Sequence, residues 1–306
     1  MKKYQILTLL WVVSFACFAQ KSTLQLNLKQ GQEYLQKQDS KINIEQNLSG
    51  MTINIVMNIY GVMSYNVDKV NSDSYDLSVK YKSLKMNMQM PQGSMEFSSD
   101  KIDETDMFST ILGEMVGKTF YITMLKNGKI KEVRNTDVLF ASIYDKLPNA
   151  PEAQVAQVKK QLQDAYGGDA LKGNLEMVTS IFPDQPVKLG DTWNVSTNMN
   201  SGFSALMNST YKYLEEGSDF YLIGGDSSIK TEDTDTYVEN NGMQMKYNLS
   251  GSLVSKIKID KSSGWIMEAK IDQELKGNTE IKGNAQMPNG MSIPMVMKND
   301  MTITGN

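Results

Sequence analysis

Met86-Asn-Met88-Gln-Met90 sets three thioethers at alternate positions, and Met243-Gln-Met245 and Met295-Val-Met297 repeat the spacing. Alternate side chains of a strand share a face, and soft thioethers select Cu(I), so the pattern could hold copper. The sequence has no His, and its one Cys is Cys17. Imidazole and thiolate ligands, the usual neutral-pH general base and the usual thiol nucleophile are therefore missing together. Methionine is also a flexible apolar side chain that fills cores and lines adaptable cavities. Plain core is the first reading of these seven residues, an adaptable apolar cavity the second and copper the last. Same-face neighbours lie about 7 Å apart along a strand. Met86, Met88 and Met90 are therefore expected to be buried among apolar neighbours and to bind no metal. No cofactor is expected.

Other chemistries find weaker footing. Thr231-Glu-Asp-Thr-Asp-Thr236 gathers carboxylates but lacks the glycine and terminal Glu of a calcium loop. A carboxylate-dependent hydrolase needs no His, yet sequence spacing alone cannot place two acids across a cleft. Beyond Trp11, only Trp193 and Trp265 are available for sugar stacking, and Trp193 follows a Gly-Asp turn as a core anchor would. No nucleophile elbow, P-loop or Ser-x-x-Lys with supporting context is present. No catalytic residue is assigned.

Residues 1–19 read as an export signal, with Lys2 and Lys3 before an apolar run from Ile6 to Phe18 and cleavage expected after Ala19. Acylation of Cys17 is the rival reading, disfavoured by Ser14 and Phe15 where a lipobox has an aliphatic and a small residue. No later run is long and apolar enough for a transmembrane helix. The expected place is extracytoplasmic, in the periplasm or secreted. Setting aside Lys2 and Lys3 leaves 29 basic against 35 acidic residues, a net charge of −6. Arg134 is the only arginine and no basic stripe appears, which argues against nucleic-acid binding.

These residues must be positioned by strands. Thr23–Leu28, Ile42–Ile44, Ile53–Ile55, Asp76–Tyr81, Lys256–Ile259 and Ala269–Ile271 alternate with period two, as antiparallel strands with one wet face do. Asn127-Gly128, Ser263-Gly264 and Asn289-Gly290 mark turns, the first being the clearest hairpin. Between them, Thr136–Phe182 reads as helices over 137–147, 151–165 and 169–181. Leu139, Ile143 and Leu147 lie four apart, and so nearly do Val155, Val158 and Leu162. A shorter helix is expected within Glu104–Met115.

Three local patterns recur in the same order on either side of the helices. Leu28-Lys-Gln-Gly-Gln-Glu-Tyr34 matches Val187-Lys-Leu-Gly-Asp-Thr-Trp193; Ser64–Leu77 matches Thr210–Leu222; and the hairpin at 121–133 matches that at 255–269. They favour duplication of a unit of about 115–125 residues. The expected fold is mainly β (α+β), with curved antiparallel sheet in two related halves. These are residues 22–135 and 183–306, with helices of 136–182 on the concave side, expected to form one continuous unit rather than separate domains.

With the signal, the paired halves and Val187-Lys-Leu-Gly-Asp-Thr-Trp193, the chain resembles a family of uncharacterised secreted proteins of Gram-negative bacteria. The resemblance implies a β-rich body and supplies no catalytic residues. More loosely, the architecture is similar to periplasmic lipoprotein carriers, whose half-open barrels hold acyl chains. The leading expectation is a non-enzymatic binding protein for an apolar or lipid-like ligand or a cell-envelope partner, with Met86, Met88, Met90, Met243, Met245, Met295 and Met297 as lining. The alternatives are a structural module, a hydrolase and copper binding.

Overall fold

The computed structural model describes residues 21–306 apart from 49, 102–105, 146–151, 201–202, 233, 241–242 and 284–286. The expected export signal with Cys17, Leu147 of the first expected helix and Asp233 of the acidic loop lie outside the described residues.

Long alternating runs build long strands. β1 (Glu33–Leu48), β2 (Met51–Val70), β3 (Ser74–Met90) and short β4 (Gly93–Ser98) are followed by α1 (Met107–Met115), β5 (Thr119–Leu125) and β6 (Ile130–Arg134). Then come a 3-10 turn (Thr136–Leu139), α2 (Ala141–Asp145), α3 (Glu152–Tyr166) and α4 (Gly168–Thr179). The second run is β7 (Thr192–Asn200), β8 (Ser204–Glu216), β9 (Phe220–Thr231), β10 (Val238–Asn240), β11 (Met243–Asp260), β12 (Ile266–Ile281) and β13 (Met291–Gly305). The 20 residues of β2 span about 65 Å at strand rise. The expected 137–147 helix is instead broken between the 3-10 turn and α2. Phe140 (φ −131°) interrupts it and is buried together with Leu139, so packing of adjacent side chains overrides a regular helix.

All strands join one antiparallel 13-stranded sheet, with β4 paired to β3 and β10 to β11 at its margin. Across it the order is β7-β8-β9-β11-β12-β13-β1-β2-β3-β5-β6. Each run meanders in the same direction, and the last strand pairs with the first at the centre. The segment from β6 to β7 must therefore return from one edge of the sheet to the other. α4 does so by packing on both edges. Its Glu176 carboxylate accepts the free Ile130 N–H of β6 at 2.7 Å, and Thr179 Oγ1 donates to the Gly128 carbonyl at 2.7 Å. On the other side, a Cβ at Gly173 would sit 2.8 Å from the Asn198 carbonyl of β7, so this glycine permits close backbone approach. One helix thus covers two exposed edges that would otherwise invite pairing with another chain.

The two runs begin alike. Gly31 (φ 77°) donates its N–H to the Val67 carbonyl while Val67 N–H returns to Gln32. Gly190 (φ 91°) donates to Tyr213 while Tyr213 returns to Asp191. A register shift follows at Val67/Lys69 in β2 and at Tyr213/Glu215 in β8.

One end of the sheet is sealed. Residues 22–28 cross it, burying Leu24, Leu26 and Leu28. Ser22 bridges to Val187, Leu26 N–H donates to Lys126, Asn27 N–H donates to Ser263, and Tyr75 Oη donates to the Leu26 carbonyl at 2.9 Å. Trp265 packs on Tyr34 and Tyr65 with ring centroids at 5.2 and 5.0 Å, and its Nε1 donates to the Leu35 carbonyl. Helix residues Leu139, Ile143, Leu162, Leu171, Leu175 and Val178 join the same buried cluster.

Candidate functional site

The ladder registers assign each paired strand residue to a face, because directly paired residues project to the same side. The face carrying the buried cluster is called the core face. On β1 it holds Tyr34, Gln36, Gln38, Ser40, Ile42, Ile44, Gln46 and Leu48. Opposite these, β2 presents Met51, Ile53, Ile55, Met57, Ile59, Gly61, Met63 and Tyr65. Followed through the other registers, no paired position of this face is Asp, Lys or Arg among the described residues, and its sole paired Glu is Glu216. Glu216 closes β8 at the sealed end, is solvent-exposed there and pairs with Lys261 at 2.8 Å. Charges crowd the opposite face, where Lys298–Glu274 and Lys246–Glu280 form ion pairs.

Toward the sealed end the core face is closed, with Tyr65, Val79, Ile122 and Ile303 all at 0 % exposure. At the distal end of β1 and β2 it is only half-buried, although the residues stay apolar: Ile42, Ile44, Ile53, Ile55, Met57 and Ile59, whereas Leu249, Leu275, Thr279 and Ile293 at the same end of β11, β12 and β13 are buried. Of the covering helices, α4 packs on β6 and β7, and α1 packs on β4 and β3 with Phe108 against buried Phe97, which leaves β1 and β2 without a helix over them. The outermost methionines are exposed, Met51 at 68 %, Met95 at 40 % and Met243 at 39 %.

All seven methionines singled out by sequence stand on this distal core face. Met86 lies between Ile59 and Phe97, Met88 between Met57 and Met95, and Met90 opposite Gly93. Met295 lies between Gln46 and Gly277, and Met297 between Ile44 and Leu275. Met245 faces Ile281 and Val238, with Met243 beyond it. Met86, Met88 and Met90 are half-buried rather than buried, which corrects the sequence expectation. α1 covers Phe97 beside them but does not bury them fully. The seven share a face but no single point: β3 and β13 are three strand spacings apart, about 14 Å.

The sequence reading missed a phase change. Lys82 is an extra residue at the β3 register shift, so Met86, Met88 and Met90 share a face with Leu77, Val79 and Tyr81 despite opposite parity. The signal was the three-residue step from Tyr81 to Leu84. Also missed was Asn299, a polar residue in the core phase of Met295, Met297, Met301 and Ile303. Burial pushes the phenols of Tyr65 and Tyr81 well above the ordinary tyrosine range. Trp193, expected as a core anchor, packs beside Tyr211 and donates Nε1–H to the Ile181 carbonyl at 3.0 Å.

A cleft of about 300 Å³ at the sealed end is lined by Lys29, Gln32, Tyr34, Asp260, Ser262 and Asn306, among others. Its one lining carboxylate, Asp260, holds a turn, accepting from the hydroxyls and amides of Ser262 and Ser263. Burial, the largest influence, pushes Asp260 up, but those hydrogen bonds together keep it below the usual carboxylate range.

Residues 72–266, more than half of the chain, match the profile of a family of unknown function, DUF6263. The chain belongs to that family. The DUF6263 match holds Met86, Met88, Met90, Met243 and Met245 and leaves Met295 and Met297 outside. No curated protein matches the sequence. Among solved structures, lipovitellin, in a study of its lipid–protein interactions, is similar at 8 % identity and TM-score 0.48. The alignment covers 92 % of this chain and 25 % of that one, so the chain spans about a quarter of lipovitellin. An outer membrane channel from Pseudomonas putida F1 aligns at 7 % identity and TM-score 0.24, over 92 % of this chain and 97 % of the channel. Likenesses at these scores carry no functional argument. Among the described residues no helix is long and apolar enough to cross a membrane, which says nothing of strands.

Proposed function

We propose that the protein is a non-enzymatic, extracytoplasmic binding protein that holds an apolar or lipid-like ligand on its distal core face. One observation carries this reading. A face free of paired charge away from its sealed rim continues past the closed core, on β1, β2, β3 and β13, as half-buried Ile and Met with Met51, Met95 and Met243 exposed at its margin. An exposed apolar surface of this extent is costly in water unless something covers it, and methionine adapts to irregular apolar shapes. Carboxylates placed on the opposite face do not serve hydrolysis at this one. In the same reading, residues 22–135 and 183–306 are two copies of one unit, with 136–182 as the return that lets their strands share a core.

Uptake of the uncharged fluorophore N-phenyl-1-naphthylamine tests the reading. Saturable enhancement is expected, with an affinity flat from about pH 5 to 8, since Asp, Glu and His are missing from the distal face. No saturable enhancement, or an affinity that follows a carboxylate titration, would contradict it.

A further inference from the structure

The polar residues of the core face form their own pattern. Among the described residues three buried side-chain atoms have no hydrogen-bond partner: Asn87 Oδ1, Ser255 Oγ and Asn299 Oδ1. Asn87 pairs with Asn58 on the charged face. Asn299 is different. It is 6 % exposed, at the centre of the core face, between buried Met301 and half-buried Met297 on the same strand. Its cross-strand neighbours are Gln273 and Ile42. Gln273, 8 % exposed, accepts from Asn299 Nδ2 at 3.5 Å. Asn299 Oδ1 therefore stands, with both lone pairs unused, where the sealed core gives way to the apolar distal face. A buried acceptor left unpaired is rare and asks for a donor.

We propose that Asn299, supported by Gln273, receives the head group of the bound ligand, and that this ligand is an uncharged amphiphile with a hydroxyl or N–H donor. The inference rests on the apolar-ligand reading above and adds the head group's chemistry. The donor satisfies Asn299 Oδ1, while the apolar tail lies outward over Met297, Ile44 and Ile55, which follow one another across β13, β1 and β2. A charged head is excluded by the same face. Without Lys or Arg to pair with, a carboxylate or phosphate taken to Asn299 would lose its water uncompensated.

The test is competition against N-phenyl-1-naphthylamine on the delipidated full chain, with oleyl alcohol, methyl oleate and, at pH 9, oleate. These probes share a tail and differ at the head. Oleyl alcohol is expected to bind about tenfold tighter than methyl oleate, the scale of one buried hydrogen bond to the ligand, with oleate weakest. Asn299→Leu is expected to abolish that preference for the alcohol over methyl oleate. Equal affinities, oleate binding tightest, or a preference that survives Asn299→Leu would overturn the head-group assignment and leave apolar binding standing. Binding of no probe would instead remove the apolar-ligand reading, and this proposal with it. The ranking on the unmodified chain decides the question even where Asn299→Leu does not fold.

Discussion

Val79→Lys is expected to unfold the protein, whereas Met88→Lys, on the same strand and the same face, is expected to leave it folded and unable to take up an apolar probe. Val79 is 0 % exposed, paired with Tyr65 on one side and Phe120 on the other. An ammonium there has no partner and no route to water, a cost of about 5 kcal/mol or more, comparable with the whole stability of a typical domain. Met88 is half-buried beside exposed Met95, so a lysine stem lies along the apolar surface with its charge in water, costing about 1 kcal/mol. Urea denaturation followed by circular dichroism checks the first effect, and probe titration of the folded variant the second. Equal destabilisation by both substitutions would mean that the distal face is ordinary core.

Gly128→Val is expected to cost about 3–5 kcal/mol, from a strained backbone and a lost contact combined. Gly128 has φ 82°, which a β-branched residue tolerates poorly, and a Cβ there would overlap the Thr179 carbonyl of α4. The change would push α4 off the edge of β6, undoing the Thr179–Gly128 and Glu176–Ile130 hydrogen bonds together. Thermal unfolding measures the loss. A variant within about 1 kcal/mol of the parent would show that α4 contributes little to closing the sheet.

Much of the sheet was legible because its strands obey a plain period of two. The Asn127-Gly128 hairpin was legible from its turn chemistry, with Leu125 N–H donating to Lys129 across it. The helices between the runs were placed within a few residues: α4 occupies 168–179 where 169–181 was expected, and α1, behind its Asp106 cap, lies inside the expected Glu104–Met115. What failed were features set by tertiary packing. The extra residue Lys82 reverses the phase of β3, and local alternation on either side of it looks normal. Half-burial of Met86, Met88 and Met90 depends on where α1 and α4 settle, which their own periodicity does not encode. Asn299 was passed over because one polar residue in an apolar series reads as a strand's wet face. Only the register with Gln273 and Ile42 places it inside.

Native mass spectrometry of the protein purified from the cell envelope without detergent tests the central claim most directly. The account predicts a population carrying an adduct of lipid mass, with collisional release of an uncharged species, and loss of that adduct in Met88→Lys. A spectrum of bare polypeptide alone, from a preparation that also fails to take up N-phenyl-1-naphthylamine, would contradict it.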